Sequence, residues 1–178
     1  MPNSDSYDSV AKALHWIMAA VIIILWVVGH LIDAIPKGDF RSNIIGMHKA
    51  FGVVIAILAV ARLTWRSTRP TPALPATMPP MEQFLAKLGH VALYVLMLAI
   101  PLDGVLLSQS GGRAVSVFGL VLPTIVEKSD ALKSVFKQGH EVMGWMLALL
   151  LVAHVAAALR HHIILKDDIL RRMMPGRG

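Results

Sequence analysis

The sequence predicts an all-α integral membrane four-helix bundle, and three observations predict it. The 178 residues are 56% hydrophobic and only 16% charged, more apolar than an ordinary soluble domain. The apolar residues gather into four runs, over about 12–32, 44–64, 85–107 and 136–161. Each run has the ~20 residues that a helix needs to cross a hydrocarbon core of about 30 Å. The runs are also uninterrupted, whereas a barrel, the other structure that satisfies its backbone in lipid, would alternate. The chain 1–178 therefore reads as a single transmembrane domain.

The first run follows Asp5, Ser6, Asp8 and Ser9, with no small-x-small cleavage pattern before Pro36, so it is expected to be a retained span and not a signal peptide. Asp8 or Ser9 is placed to cap its helix. Pro36, Gly38 and Asp39 mark the first loop. Between the second and third runs, Pro70, Pro72, Pro75, Pro79 and Pro80 predict a non-helical connector. Pro101 predicts a kink in the third span, and Ser108 to Lys137 forms the one sizeable loop before the fourth.

Four spans put both termini on one side. Ten of the seventeen Lys and Arg, among them Arg62, Arg66, Arg69, Arg171, Arg172 and Arg177, fall on that side, against seven on the other. The positive-inside rule then makes both termini of this multi-pass membrane protein cytoplasmic. The net charge of +6 belongs to residues that flank spans and have few aromatic partners. That pattern reads as a lipid-bilayer partner and not a nucleic-acid one. The absence of cysteine excludes thiolate clusters and covalent C-x-x-C-H haem attachment.

Four histidines carry the functional reading. His15, His48, His140 and His154 each lie near a span end, and four residues on from each stands Ala19, Gly52, Gly144 or Ala158, on the same helical face. A flat porphyrin lying against a helix needs that small neighbour. His140 and His154 share the fourth span, 14 residues or ~21 Å apart, nearly on one face. His48, early in the second span, matches the depth of His140, and His15, early in the first, matches His154. Two noncovalent haem b groups are therefore expected, an outer one between His48 and His140 and an inner one between His15 and His154. Each ligand is expected to donate its other ring N–H to a carbonyl or hydroxyl. His90 has a similar depth to the inner pair, with Tyr94 one turn on. His30, near Asp33, reads as an interfacial histidine, and Asp103 is the acid well inside a span.

The motifs "ALHW", "GMHKAFG", "LGHVALY", "LAIPLDG", "GHEVMGW", "AHVAAALRHH" and "KDDILRRMMP", spread from Val10 to Pro175, resemble those of the bacterial cytochrome b561 family of dihaem, quinone-linked membrane cytochromes. The resemblance implies the same four axial histidines. It also implies ubiquinone beside the cytoplasmic haem, with His161, His90, Trp16 and Lys166 as lining candidates. It further implies a superoxide oxidase, an oxidoreductase passing electrons from periplasmic superoxide to ubiquinone. Superoxide is an anion, so a cationic mouth would concentrate it. Lys49, Lys133 and Lys137, where the two helices of the outer haem begin, are the expected steering group. His161 or His90 is expected to relay protons to the quinone. The alternative is a membrane cytochrome b subunit that takes electrons from a partner dehydrogenase.

Overall fold

A computed structural model describes residues 6–176. Asp5 and Arg177, which entered the reading of the N-terminal polarity and of the charge count, lie outside the described residues. Four long helices form the body: α1 Ser9–Leu31, α2 Asp39–Thr68, α3 Pro80–Ser110 and α4 Asp130–Arg160. All four are long and apolar enough to cross a membrane. Large apolar side chains such as Ile24, Ile57, Leu149 and Val152 are exposed on their outer faces, as lipid-facing side chains should be.

Each helix begins before its apolar run, and polar residues cap two of them. Asp8 caps α1 by accepting the Ala11 N–H at 2.9 Å, and Ser129 caps α4 through the Leu132 N–H. The proline connector spans 69–79, one residue earlier than the stretch from Pro70 to Pro80. Pro80 opens α3, a position where its missing N–H breaks no helical bond. α3 runs on through Pro101 to Ser110, so the loop before α4 spans 111–129 and not Ser108–Lys137. That loop carries a small hairpin, β1 Ser116–Val117 antiparallel to β2 Leu120–Val121, and is anchored by the buried Gln109. Gln109 donates to the Pro123 carbonyl and accepts the Ile125 N–H.

At its other end α4 passes into a π-helical turn, His161–Leu165, which Lys166 closes in the left-handed region at φ 55°. A short helix α5, Ile169–Met173, follows. The Arg172 carbonyl accepts from Ser6 Oγ and the Tyr7 N–H, and Trp16 Nε1 donates to the Met173 carbonyl. The chain's two ends are thus bound together at one end of the bundle, hereafter the terminal end.

Packing is uneven around the bundle. α1 lies on α2, α2 on α3 and α3 on α4, whereas the α4 backbone hardly approaches that of α1 or α2. Midway along, Met18, Ile22, Ile55, Ala59, Leu93, Leu96 and Leu147 form one buried apolar cluster. The slot on either side of this cluster, between α4 and the α1–α2 pair, is where the histidines meet.

Candidate functional site

At the end opposite the termini, His48 of α2 faces His140 of α4 across the slot, with ring centres 6.3 Å apart. Glycines on the neighbouring helices make room for both rings. A Cβ on Gly29 would lie 3.3 Å from His48 Cε1, and one on Gly104 would lie 3.0 Å from His140 Cε1. Asp103 packs over Gly139, where a Cβ would come within 3.1 Å of its Oδ1, and this close approach brings Asp103 Oδ2 to 3.5 Å from His140 Nδ1. The expectation of a carbonyl or hydroxyl acceptor for each ring is not met here. His140 Nδ1 has a carboxylate at ion-pair distance without hydrogen-bond geometry, and His48 Nδ1 is buried with no partner.

At the terminal end, His15 of α1 and His154 of α4 stand 6.1 Å apart. His90 of α3 is also there, its ring centre 5.4 Å from that of His154. Arg62 of α2 enters the same cluster, donating to the Ala11 carbonyl at 2.7 Å and to Tyr94 Oη at 3.1 Å, with Nη2 3.3 Å from His15 Nδ1. A guanidinium only donates, so the ring nitrogen that Arg62 meets is an acceptor and not the expected donor.

The spacings test whether these pairs suit a haem. Two imidazoles that ligate one metal from opposite sides stand roughly 6.2 Å apart between ring centres, from a metal–nitrogen bond of about 2 Å and about 1.1 Å from nitrogen to ring centre on each side. The His48–His140 and His15–His154 pairs match this, and His90–His154 is too close. Among the described residues, no group of three or more His, Asp or Glu side chains is arranged to hold a bare metal ion. In a haem the macrocycle supplies four positions and two imidazoles complete the set. A Cβ added at Gly52 or Gly144 would meet nothing within 4 Å, so open space lies beside both outer histidines. The ring spacing at each end suits a haem, with open space beside the outer pair, while at the inner end the Arg62 contact on His15 Nδ1 would have to open before Nε2 could bind a metal.

The remaining candidates are dispersed. His161 Nδ1 pairs with Asp167 Oδ2 at 2.5 Å just past α4, Trp16 is half-exposed and bonded to Met173, and Lys166 is exposed. Of the quinone candidates, His90 and Trp16 border the histidine cluster, the Trp16 ring centre lying 5.4 Å from that of His15. Lys49 Nζ donates to Ser108 Oγ at 3.2 Å and to the Ala114 carbonyl at 3.0 Å, and it lines a cavity with Lys37, Arg41 and Arg113. Lys133 and Lys137 are exposed on α4 and are not in that wall. Sequence reasoning missed Gly29, Gly104 and Arg62 as site residues. Only Arg62 carried a signal, as a cation within an apolar helix. His30 is more than an isolated interfacial side chain, since it sits against Trp26 at 4.1 Å and Trp145 at 4.8 Å between ring centres.

Residues 6–176 match the family described as prokaryotic cytochrome b561. The chain is 31% identical over 172 residues to cytochrome b561 homolog 2 of Escherichia coli (strain K12), covering 96% of this chain and 92% of that one. It is 32% identical over 165 residues to cytochrome b561 homolog 1 of the same strain, covering 92% and 94%. A Yersinia pestis protein named probable superoxide oxidase CybB is 30% identical over 169 residues, covering 95% and 96%.

Proposed function

This chain belongs to the prokaryotic cytochrome b561 family, and from that premise we propose that it is a dihaem superoxide oxidase. Membership makes it a multi-pass inner-membrane protein that binds b-type haem and transfers electrons. The finer reading is that two superoxide ions each give up one electron at the end opposite the termini and leave as dioxygen. The two electrons, with two protons from the terminal side, reduce one ubiquinone to ubiquinol. Superoxide as the donor is supported by the name of the Yersinia pestis relative. The observation that carries the dihaem part is the pair of facing imidazoles, 6.3 and 6.1 Å apart, at opposite ends of one bundle.

A haem iron between two imidazoles has no open coordination position and supplies reversible one-electron transfer. His48 and His140 hold the outer group, and His15 and His154 the inner. Asp103 attracts the His140 ring proton to Nδ1 and leaves Nε2 for the metal. With haem bound, its negative charge would disfavour an added electron at the outer site and the Arg62 guanidinium would favour one at the inner, which would set a downhill direction toward the termini. The two sites are ~21 Å apart along α4, with the apolar cluster between them keeping water out. Lys49, Lys133 and Lys137 supply positive potential where superoxide arrives. At the terminal end, which is cytoplasmic in this reading, His90, Trp16, His161 and Lys166 are the quinone's surroundings. His161, held by Asp167, passes the protons that quinone reduction consumes.

The test is ubiquinone reduction by the purified holoprotein under a steady supply of superoxide, alongside pigment extraction. Two haems per chain and quinone reduction coupled to superoxide loss are expected. One haem or none refutes the dihaem reading. Two haems that superoxide leaves oxidised would move the assignment to the second reading, a cytochrome subunit of a larger dehydrogenase. That reading is favoured by the hairpin at the outer end, where Phe118, Leu120 and Val121 are all more than 60% exposed and offer an apolar docking surface.

A further inference from the structure

We propose that a cationic cavity at the end opposite the termini is a binding site for a phosphate-bearing anion, drawn from a lipid headgroup or from soluble phosphate. The cavity has a volume of about 590 Å³ and lies between the start of α2 and the loop after α3. Lys37, Arg41, Lys49 and Arg113 line it, with Gly38, Ser42 and Ile45 completing the wall and no carboxylate among the lining residues. Four like charges around one concavity repel one another, and an anion of matching size relieves that repulsion.

Size separates this site from the steering of superoxide. A field concentrates a diatomic anion without walls, whereas this volume corresponds to roughly 20 waters at about 30 Å³ each. That is room for a tetrahedral oxyanion and its substituent. The donors suit such a ligand. Arg41 and Arg113 present planar guanidinium forks, the geometry that pairs with two phosphate oxygens. Arg41 uses Nη2 on Asp33 at 2.6 Å, while its Nε is buried with no acceptor. The bonds from Lys49 to Ser108 and Ala114 fix its ammonium in the wall and leave a third N–H to donate. Gly38 caps α2 without a side chain, so the partial positive charge of that helix start adds to the four cations, although Asp39 in the first turn offsets part of it. The cavity lies at the start of the second membrane-capable helix, where a span would meet the lipid headgroups.

The experiment has two arms, both on haem-loaded protein. In one, protein in phosphatidylcholine nanodiscs is titrated calorimetrically with inorganic phosphate. In the other, protein from micelles containing phosphatidylcholine and phosphatidylglycerol in equal amounts is examined by native mass spectrometry for retained lipid. One ligand per chain is expected in at least one arm. Arg113→Gln should weaken it about tenfold, the loss of one charge-assisted contact, and Lys37→Gln/Arg113→Gln should weaken it further, with the haem absorbance unchanged in both variants. Binding in the first arm alone identifies soluble phosphate, and in the second alone the headgroup. Lys37→Gln by itself, at an exposed side chain, is the control should the double variant fail to fold. The proposal is overturned if neither arm shows binding, or if every folded variant binds as the wild type does. Neither result bears on the superoxide reaction, whose own test is separate.

Discussion

The two ends of the bundle hold histidine pairs of nearly equal spacing in opposite electrostatic surroundings. The outer pair is framed by Gly29 and Gly104, has Asp103 near one ring and lies beside a basic cavity open to the surroundings. The inner pair shares its space with His90, Arg62 and Tyr94 and lies under the segment that ties the termini together. The spacing is common to both ends and the neighbouring charge is not. In the function proposed above, that charge would give the electron path its direction, because a nearby carboxylate and a nearby guanidinium act oppositely on an added electron.

Removing ligands breaks the comparison most completely. His140→Ala and His15→Ala should each halve the extracted haem and abolish superoxide-driven quinone reduction. His90→Ala should keep both haems, and a haem lost from that variant would replace His15 by His90 in the inner pair. Filling the slot comes next. Gly52→Leu and Gly144→Leu meet no protein atom close to the backbone, so they should leave a folded bundle that loses the outer haem while the inner haem absorbs normally. An unchanged pigment content would show that no porphyrin lies there.

Neutralising the charge beside each pair should act in opposite senses at the two ends. Asp103→Asn should raise the outer midpoint potential and Arg62→Gln should lower the inner one, each by tens of millivolts, narrowing the gap that a redox titration resolves. Shifts in the same direction would remove the downhill argument. The smallest effect expected is at the helix cap. Burial raises the Asp8 carboxyl, but the Ala11 N–H and the Trp65 indole outweigh it and hold its pKa below the ordinary value. Its stabilisation is therefore complete above the unfolded carboxylate range and is lost as pH falls through the lower folded pKa. Asp8→Ala should cost about 1 kcal/mol of thermal or denaturant stability at neutral pH, as N-cap losses do, and nothing once the wild-type carboxyl is protonated.

The meeting of the histidines in two pairs was legible because depth in a membrane helix is arithmetic. Fourteen residues between His140 and His154 set two levels, and the start of each span assigned His48 and His15 to them. The glycines that admit the rings were not legible in the same way. Gly29 and Gly104 are separated in sequence from the histidines they accommodate and lie on different helices. Gly52 and Gly144, one turn from their own histidines, border open space instead. The steering group divided for a similar reason. Lys49 shares a cavity with residues from the first loop and from the loop after α3, whereas Lys133 and Lys137 follow the exposed side of α4.

By itself the sequence determined that this chain forms four membrane-crossing helices with histidines at two depths, since hydrophobic length and helical rise act along one segment at a time. Only the tertiary structure decided which side chains surround each pair: an acid and two glycines at one end, an arginine and a third histidine at the other. Those neighbours come from different helices, and their meeting depends on how α1 packs on α2, α2 on α3 and α3 on α4 while α4 keeps its distance from α1 and α2, a property of the whole bundle that no single run of residues encodes.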